Sequence, residues 1–142
     1  MNPRLRVLFV CIHNDARSLI AEAVLRHADP EHFEAFSAGV RPTEVDPRVR
    51  AVLEHAGISG QGLQSKPLET FAGEAFDYLI DLCDRRTDEL AELPQSNATI
   101  TWSFVDPVGQ DGEEGFRHLL QEVSDRVKLF VMVKNRPHGR EE

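Results

Sequence analysis

The stretch LRVLFVCIHNDARSLIAEAVL, residues 5–25, changes character halfway along. Leu5 to Val10 is a near-continuous apolar run, as expected of a strand buried on both faces of a parallel sheet. From Ser18 the apolar residues fall at Leu19, Ala21, Ala23, Val24 and Leu25. That spacing suits a helix packed on the sheet, and Asp29-Pro30 closes it. A strand passing directly into a helix is the opening unit of an α/β fold. At the junction stand Cys11, Asp15 and Arg17.

The pattern continues downstream. Phe33 to Ser37 (FEAFS) reads as a second strand stopped by Gly39. Pro47 to His55 (PRVRAVLEH) reads as a helix with Asp46 as N-cap, Pro47 at its first position and Gly57 as C-cap. Phe76 to Leu82 is a third strand that ends at Cys83. Residues 84–93 suit a short helix closed by Pro94, and Thr99 to Phe104 (TITWSF) alternates like a fourth strand. A last helix runs from Glu113 to about Lys134, with Phe116, Leu119, Leu120, Val123, Val127 and Phe130 on its apolar face. The order βαβαβαβα, with no repeat or linker, predicts a single three-layer α/β domain. Its four-stranded parallel sheet would be flanked by helices over residues 1–136, with 137–142 as a flexible tail. In such sheets, sites lie beyond the C-terminal ends of the strands. Cys11, Cys83 and Asp106 each fall just past a strand end.

Composition narrows the function. The chain has 142 residues, 41% of them hydrophobic, which is ordinary for one globular domain. No apolar run approaches the roughly 18 residues of a membrane span, and MNPRLR is no signal peptide. Two cysteines suit reduced thiols and a cytoplasmic location. The formal net charge of −8 speaks against a nucleic-acid partner, which would need a basic patch. An anion site must therefore be local.

The Cys11–Arg17 loop can be such a site. A short connection between a buried strand and a helix N-terminus turns N–H groups inward at the positive end of the helix dipole. Arg17 adds a bidentate fork for a tetrahedral oxyanion. The same groups, with the Ser18 hydroxyl, would lower the Cys11 thiol from about 8.5 toward neutrality and make it a nucleophile. The plainer alternative is an inert, buried strand-end cysteine. Asp106, before Pro107, reads either as a general acid or as a turn residue. His27, His32, His55, His118 and His138 lack ligand spacing, so no metal site is expected.

VLFVCIHNDARSLIAEAVL, FSAGVRP, DPRVRAVLEHAGI, QSKPLE, LIDLCD and WSFVDPVG together resemble the low-molecular-weight protein tyrosine phosphatases and the arsenate reductases that share their fold. The likeness covers most of residues 5–110. It implies Cys11 as nucleophile, Arg17 as oxyanion clamp, Asn14 in a strained left-handed turn, Ser18 supporting the thiolate and Asp106 as general acid. Residues Ile12, His13, Asn14, Asp15, Ala16, Arg17 and Ser18 would form the oxyanion-binding loop. Some members bind potassium near the positions of Asn14, Glu22 and Ser37. Here Lys66 could supply an ammonium instead.

Two branches of that family remain open. Its tyrosine phosphatases usually carry aromatic residues after the Asp-Pro pair, where this chain has Val108-Gly109. Its reductases place a second cysteine where Cys83 stands, although Cys83 also reads as a core residue. Reduction would begin with Cys11 attacking arsenate while Asp106 protonates the departing hydroxide. A second thiol would then attack the Cys11 sulfur, releasing arsenite, and if that thiol is Cys83 a Cys11–Cys83 disulfide results. No third cysteine follows Cys83, so the relay of thioredoxin-coupled members is missing. The reductant would be an external thiol or redoxin: glutathione with glutaredoxin, mycothiol with mycoredoxin, or thioredoxin acting directly. The alternatives are phosphomonoester hydrolysis through a phosphocysteine and a noncatalytic oxyanion-binding, regulatory module. His13 and Asp15 also depart from the family loop. Asp15 would either face the anion or, as the preferred expectation, turn outward and cap the helix at Arg17.

Overall fold

The structure is a computed structural model and describes residues 4–82 and 94–134. Four parallel strands form one sheet in the order β2-β1-β3-β4: β1 (Leu5–Cys11), β2 (Phe33–Gly39), β3 (Ala75–Asp81) and β4 (Gln95–Thr101). Among the described residues three α-helices accompany them, α1 (Arg17–Ala28), α2 (Pro47–His55) and α3 (Glu114–Lys134), with a 3-10 turn at Leu68–Phe71. The expected α/β domain with a four-stranded parallel sheet is therefore present. The helix expected over 84–93, and the tail 137–142, lie outside the described residues.

Strand β1 is interior in the sheet and fully enclosed from Val7 to Val10, which is why its sequence shows no alternation. Val7 and Phe9 face the larger core with α1, α2, α3 and Trp102. Leu8 and Val10 face a smaller cluster with Phe71, Phe76 and Leu79. Consecutive residues thus serve opposite faces. All six apolar residues expected to line α3 are buried.

Helix α2 begins and ends where its local chemistry dictates. The Asp46 carboxylate accepts the Arg48 amide at 3.0 Å, and Pro47 starts the first turn. The C-cap is Ala56 rather than Gly57. Gly57 follows with φ 76°, the left-handed conformation that glycine adopts without strain just past a helix end.

The fourth strand is displaced from its expected range. TITWSF was expected to be paired from Thr99 to Phe104, whereas β4 ends at Thr101 because β3 ends at Asp81, its register partner. The Trp102 amide makes a last bond to the Asp81 carbonyl at 3.1 Å. Beyond it the alternation persists without a sheet: Trp102 and Phe104 stay buried while Val105 is exposed. Trp102 packs against Phe9, Phe104 and Phe130. This anchored exit from the sheet aims the next residue, Asp106, back across the end of β1.

β1 connects to β2 on one side and pairs with β3 on the other. The sheet order therefore reverses beside β1, which is where parallel α/β sheets open a crevice for ligands. Among the described residues no helix is long and apolar enough to cross a membrane.

Candidate active site

Cys11 is the last residue of β1 and is buried. The next five residues wrap its sulfur before α1 starts. The carbonyls of Cys11, Ile12, His13 and Asp15 each meet a donor outside the loop. Val40 N–H donates to Cys11 O (3.3 Å), Arg41 N–H to Ile12 O (2.8 Å), Thr43 N–H to His13 O (3.2 Å) and Asp46 N–H to Asp15 O (3.1 Å). The Ser65 hydroxyl also donates to His13 O at 3.0 Å. Across a trans peptide, a carbonyl and the following N–H point opposite ways. Anchoring these carbonyls outside therefore turns the N–H groups that follow them toward the sulfur. The Asn14 and Ser18 amides both bond to Cys11.

Asn14 makes this path possible. It has φ 50°, a conformation asparagine tolerates better than most residues, and it is fully buried. Its Nδ2 donates to Ser18 Oγ at 2.7 Å and to Ser37 Oγ at 3.1 Å, and its Oδ1 accepts the Lys66 amide at 2.7 Å. The Ser18 hydroxyl in turn lies 2.9 Å from Cys11 Sγ. Gly39 closes the back of the loop. A Cβ there would lie 2.8 Å from Asn14 N and Cβ and 2.9 Å from Ile12 O.

Behind Asn14 is a charged cluster centred on the buried Glu22. The Ser37 hydroxyl donates to Glu22 Oε1 at 2.5 Å, Arg26 bonds the other Glu22 oxygen, and Lys66 Nζ stands 4.0 Å from Glu22 Oε1. An ammonium therefore occupies the neighbourhood of Asn14, Glu22 and Ser37. Burial pulls Lys66 below the ordinary lysine range, Glu22 opposes this and Arg26 adds to it. Among the described residues no group of three or more His, Cys, Asp or Glu could hold a metal ion.

Arg17 is buried at the start of α1 and bridges to the opposite wall. Its Nη1 donates to the carbonyls of Leu82 (3.1 Å) and Phe104 (3.4 Å), and its Nη2 lies 3.5 Å from Asp106 Oδ2. The other Asp106 oxygen accepts the Val108 amide at 3.1 Å. Cys11, Arg17, Ser18 and Asp106 are thus brought together. Cys83 lies outside the described residues, immediately after Leu82, whose amide donates to Val10 O at 2.7 Å.

Two expectations need correction. Burial pushes the Cys11 thiol up, and this outweighs the downward pull of the Ser18 hydroxyl and amide, Arg17 and the Asn14 amide. The physical reason is that the sulfur is almost wholly enclosed, and removing a thiolate from water costs more than these neighbours return. Asp15 does not cap α1, because the N-cap is Ala16 and no side chain caps that end. Asp15 is half-buried and feels Asp106. Burial raises its carboxyl and the Asp106 charge raises it further, against His13 and Arg17. It borders an open groove of about 540 Å³ whose wall also carries Glu44 and Asp46. His13 is exposed.

Arg48 and Ser65 were not among the residues expected at the site. Ser65 lies in QSKPLE, one of the stretches that resemble the family, where nothing sets its hydroxyl apart. Arg48 stands beside the legible Asp46-Pro47 cap, but its partners lie some sixty residues further on.

A chalice of amides around a cysteine, with an arginine and an aspartate opposite, defines a class of enzyme site, and comparison with known proteins agrees. Residues 6–136 match the low molecular weight phosphotyrosine protein phosphatase family, and the chain belongs to it. The glutaredoxin arsenate reductase of Synechocystis is 31% identical over 126 residues, covering 89% of this chain and 95% of that protein. A solved arsenate reductase in a phosphate-binding state superposes with TM-score 0.78 at 29% identity, covering 90% and 97% of the two chains. The arsenate reductase of Archaeoglobus fulgidus does so with TM-score 0.71 at 32% identity, covering 88% and 98%.

Proposed function

We propose that this protein reduces arsenate to arsenite at the expense of thiols. The observation that carries this reading is an amide-lined loop around Cys11 beside which no described aromatic ring is exposed. Every phenylalanine, the tryptophan and the tyrosine are buried or half-buried, and Val108 follows the Asp106-Pro107 pair, so nothing grips the ring of an aryl phosphate. The arsenate reductases among its relatives support the same substrate.

In this mechanism the Cys11 thiolate attacks arsenic and forms an S–As bond. The inward amides and the Arg17 fork hold the oxyanion oxygens, and Asp106 gives its proton to the departing hydroxide, which leaves as water. The Cys83 thiolate then attacks the Cys11 sulfur. An S–S bond forms, the S–As bond breaks with its electron pair passing to arsenic, and As(V) leaves as As(III). Two thiols have become a disulfide, which an external thiol or redoxin reopens. Leu82, whose amide bonds to Val10 beside Cys11, immediately precedes Cys83 in the chain, and this supports the role. A reducing compartment such as the cytoplasm suits the chemistry.

The test is arsenite release with glutathione–glutaredoxin, mycothiol–mycoredoxin or thioredoxin systems, beside p-nitrophenyl phosphate turnover. The glutaredoxin arm comes first, given the name of the Synechocystis relative. Parent protein should release arsenite, and Cys11→Ser should not. Activity that survives Cys83→Ser with a small thiol would remove the intramolecular disulfide step. Phosphate-ester turnover without arsenite would make the protein a phosphatase. Phosphate binding with neither activity would make it an oxyanion-binding module.

A further inference from the structure

The Asp106 loop has its own anchor in helix α2. Arg48 Nε and Nη2 form a fork on the Asp46 carboxylate at 2.9 and 2.8 Å. Its remaining donors leave α2 for the segment after Asp106: Nη1 to the Gln110 and Gly112 carbonyls at 2.6 and 3.0 Å, and Nη2 to the Val108 carbonyl at 3.0 Å. The guanidinium carbon also lies 4.4 Å from the centre of the Phe116 ring at the start of α3. One side chain therefore holds three carbonyls within a seven-residue loop, in the planar fork geometry that only arginine supplies.

Val108, whose two flanking peptide groups face different partners, is the point of leverage. Its carbonyl accepts from Arg48, and its N–H orients the Asp106 carboxylate through Oδ1. Asp46, which carries Arg48, donates its own amide to Asp15 O in the nucleophile loop. The start of α2 thus touches both walls of the site, the nucleophile loop through one bond to Asp15 and the Asp106 carboxylate through two successive bonds by way of Val108. We infer that Arg48 is a positioning residue that sets the place of Asp106 relative to Cys11, acting through the backbone of Val108. This rests on Asp106 serving as the proton donor of the proposed reaction. Catalysis of this kind depends on how closely the donor is placed, and a general acid is worth about 10²- to 10⁴-fold.

The experiment compares full-length parent, Arg48→Met and Arg48→Lys. In the parent, the Val108 amide proton shift in 15N-resolved NMR should follow titration of the Asp106 carboxylate. In Arg48→Met that pH-dependent shift should fall by at least half while the β1 amides hold their positions, and Arg48→Lys should keep part of it. For arsenate reduction, kcat should fall about 10- to 100-fold in Arg48→Met, with the Kd for inorganic phosphate changed less than twofold. An unaltered Val108 titration in Arg48→Met, or kcat and phosphate affinity falling together, would overturn the inference. If Arg48→Met does not fold, Arg48→Lys decides by the same measures. A protein that makes no arsenite fails the reductase reading, and the Val108 titration then judges the positioning by itself.

Discussion

Residues 11–18 and residues 105–112 face each other across Arg17, and they are held in opposite ways. The first segment is fixed by backbone bonds from the neighbouring segments 39–46 and by the buried Asn14 network. The second is largely open to solvent, with Val105 67% exposed, and one long side chain gathers three of its carbonyls. The nucleophile side therefore tolerates almost no change of shape. The acid side depends on a few identifiable contacts and leaves room elsewhere. In the proposed reaction, a thiol that meets an oxyanion in one geometry needs the former, and a proton donor that admits substrate and releases product is compatible with the latter.

The sharpest way to break this contrast is at Asn14. Asn14→Ala removes three buried hydrogen bonds and leaves a Cβ-bearing residue at φ 50° without compensation. The expected loss of stability is about 3 kcal/mol in denaturant titration. Asn14→Gly should lose about 1 kcal/mol less, because glycine accepts the conformation. Equal losses would mean that the left-handed turn is unstrained. Gly39→Ala should come next, at about 2 kcal/mol from overpacking against the loop backbone, with phosphate affinity falling at least about tenfold, or 1.4 kcal/mol. Calorimetric titration with phosphate checks it, and an unchanged Kd would show that the loop yields more readily than its contacts suggest.

Electrostatic changes should be smaller. The Ser18 hydroxyl is the largest of the effects that pull the Cys11 thiol down. Ser18→Ala should therefore move the midpoint of the pH–rate profile for iodoacetamide alkylation upward, and a downward shift would contradict the contact at 2.9 Å. Asp15→Asn removes a carboxylate that repels Asp106. It should strengthen phosphate binding about two- to fivefold at low salt. The sign follows from the raised Asp15 carboxyl. At acid pH the parent's Asp15 is protonated and the two proteins converge, and the advantage of the substituted protein opens as pH rises and the parent ionises. Gly109→Ala in the acid loop should change stability by less than about 0.5 kcal/mol, since a Cβ there meets nothing within 4 Å. A large effect at Gly109 would show that the acid loop is as constrained as its partner.

The same contrast governs what could be read from the chain. The Cys11–Arg17 loop was legible because two different periodicities flank it, and α2 was legible because Asp46 and Pro47 cap it locally. The end of β4 was not, because pairing stops when its partner strand stops, while the inward alternation of Trp102 and Phe104 continues. The setting of Asp15 was hidden for a related reason. Burial acts on it first, and the charge that adds to that effect, Asp106, lies some ninety residues further along the chain. Arg48 looked like an ordinary helix residue because its partners are loop carbonyls, and carbonyls leave no trace in a sequence.

The cradle around Cys11 is assembled from atoms common to every residue type but one. His13 and Asp15 can differ from their family counterparts in size and charge without removing a single donor from the ring. They retune the neighbourhood and leave the fingers that grip the anion in place. Proline is the exception, since it carries no N–H. A proline at position 13 would delete one finger outright while adding less bulk than the histidine it replaced. The loop is thus written in a degenerate code, permissive in its side chains and strict in its peptide planes.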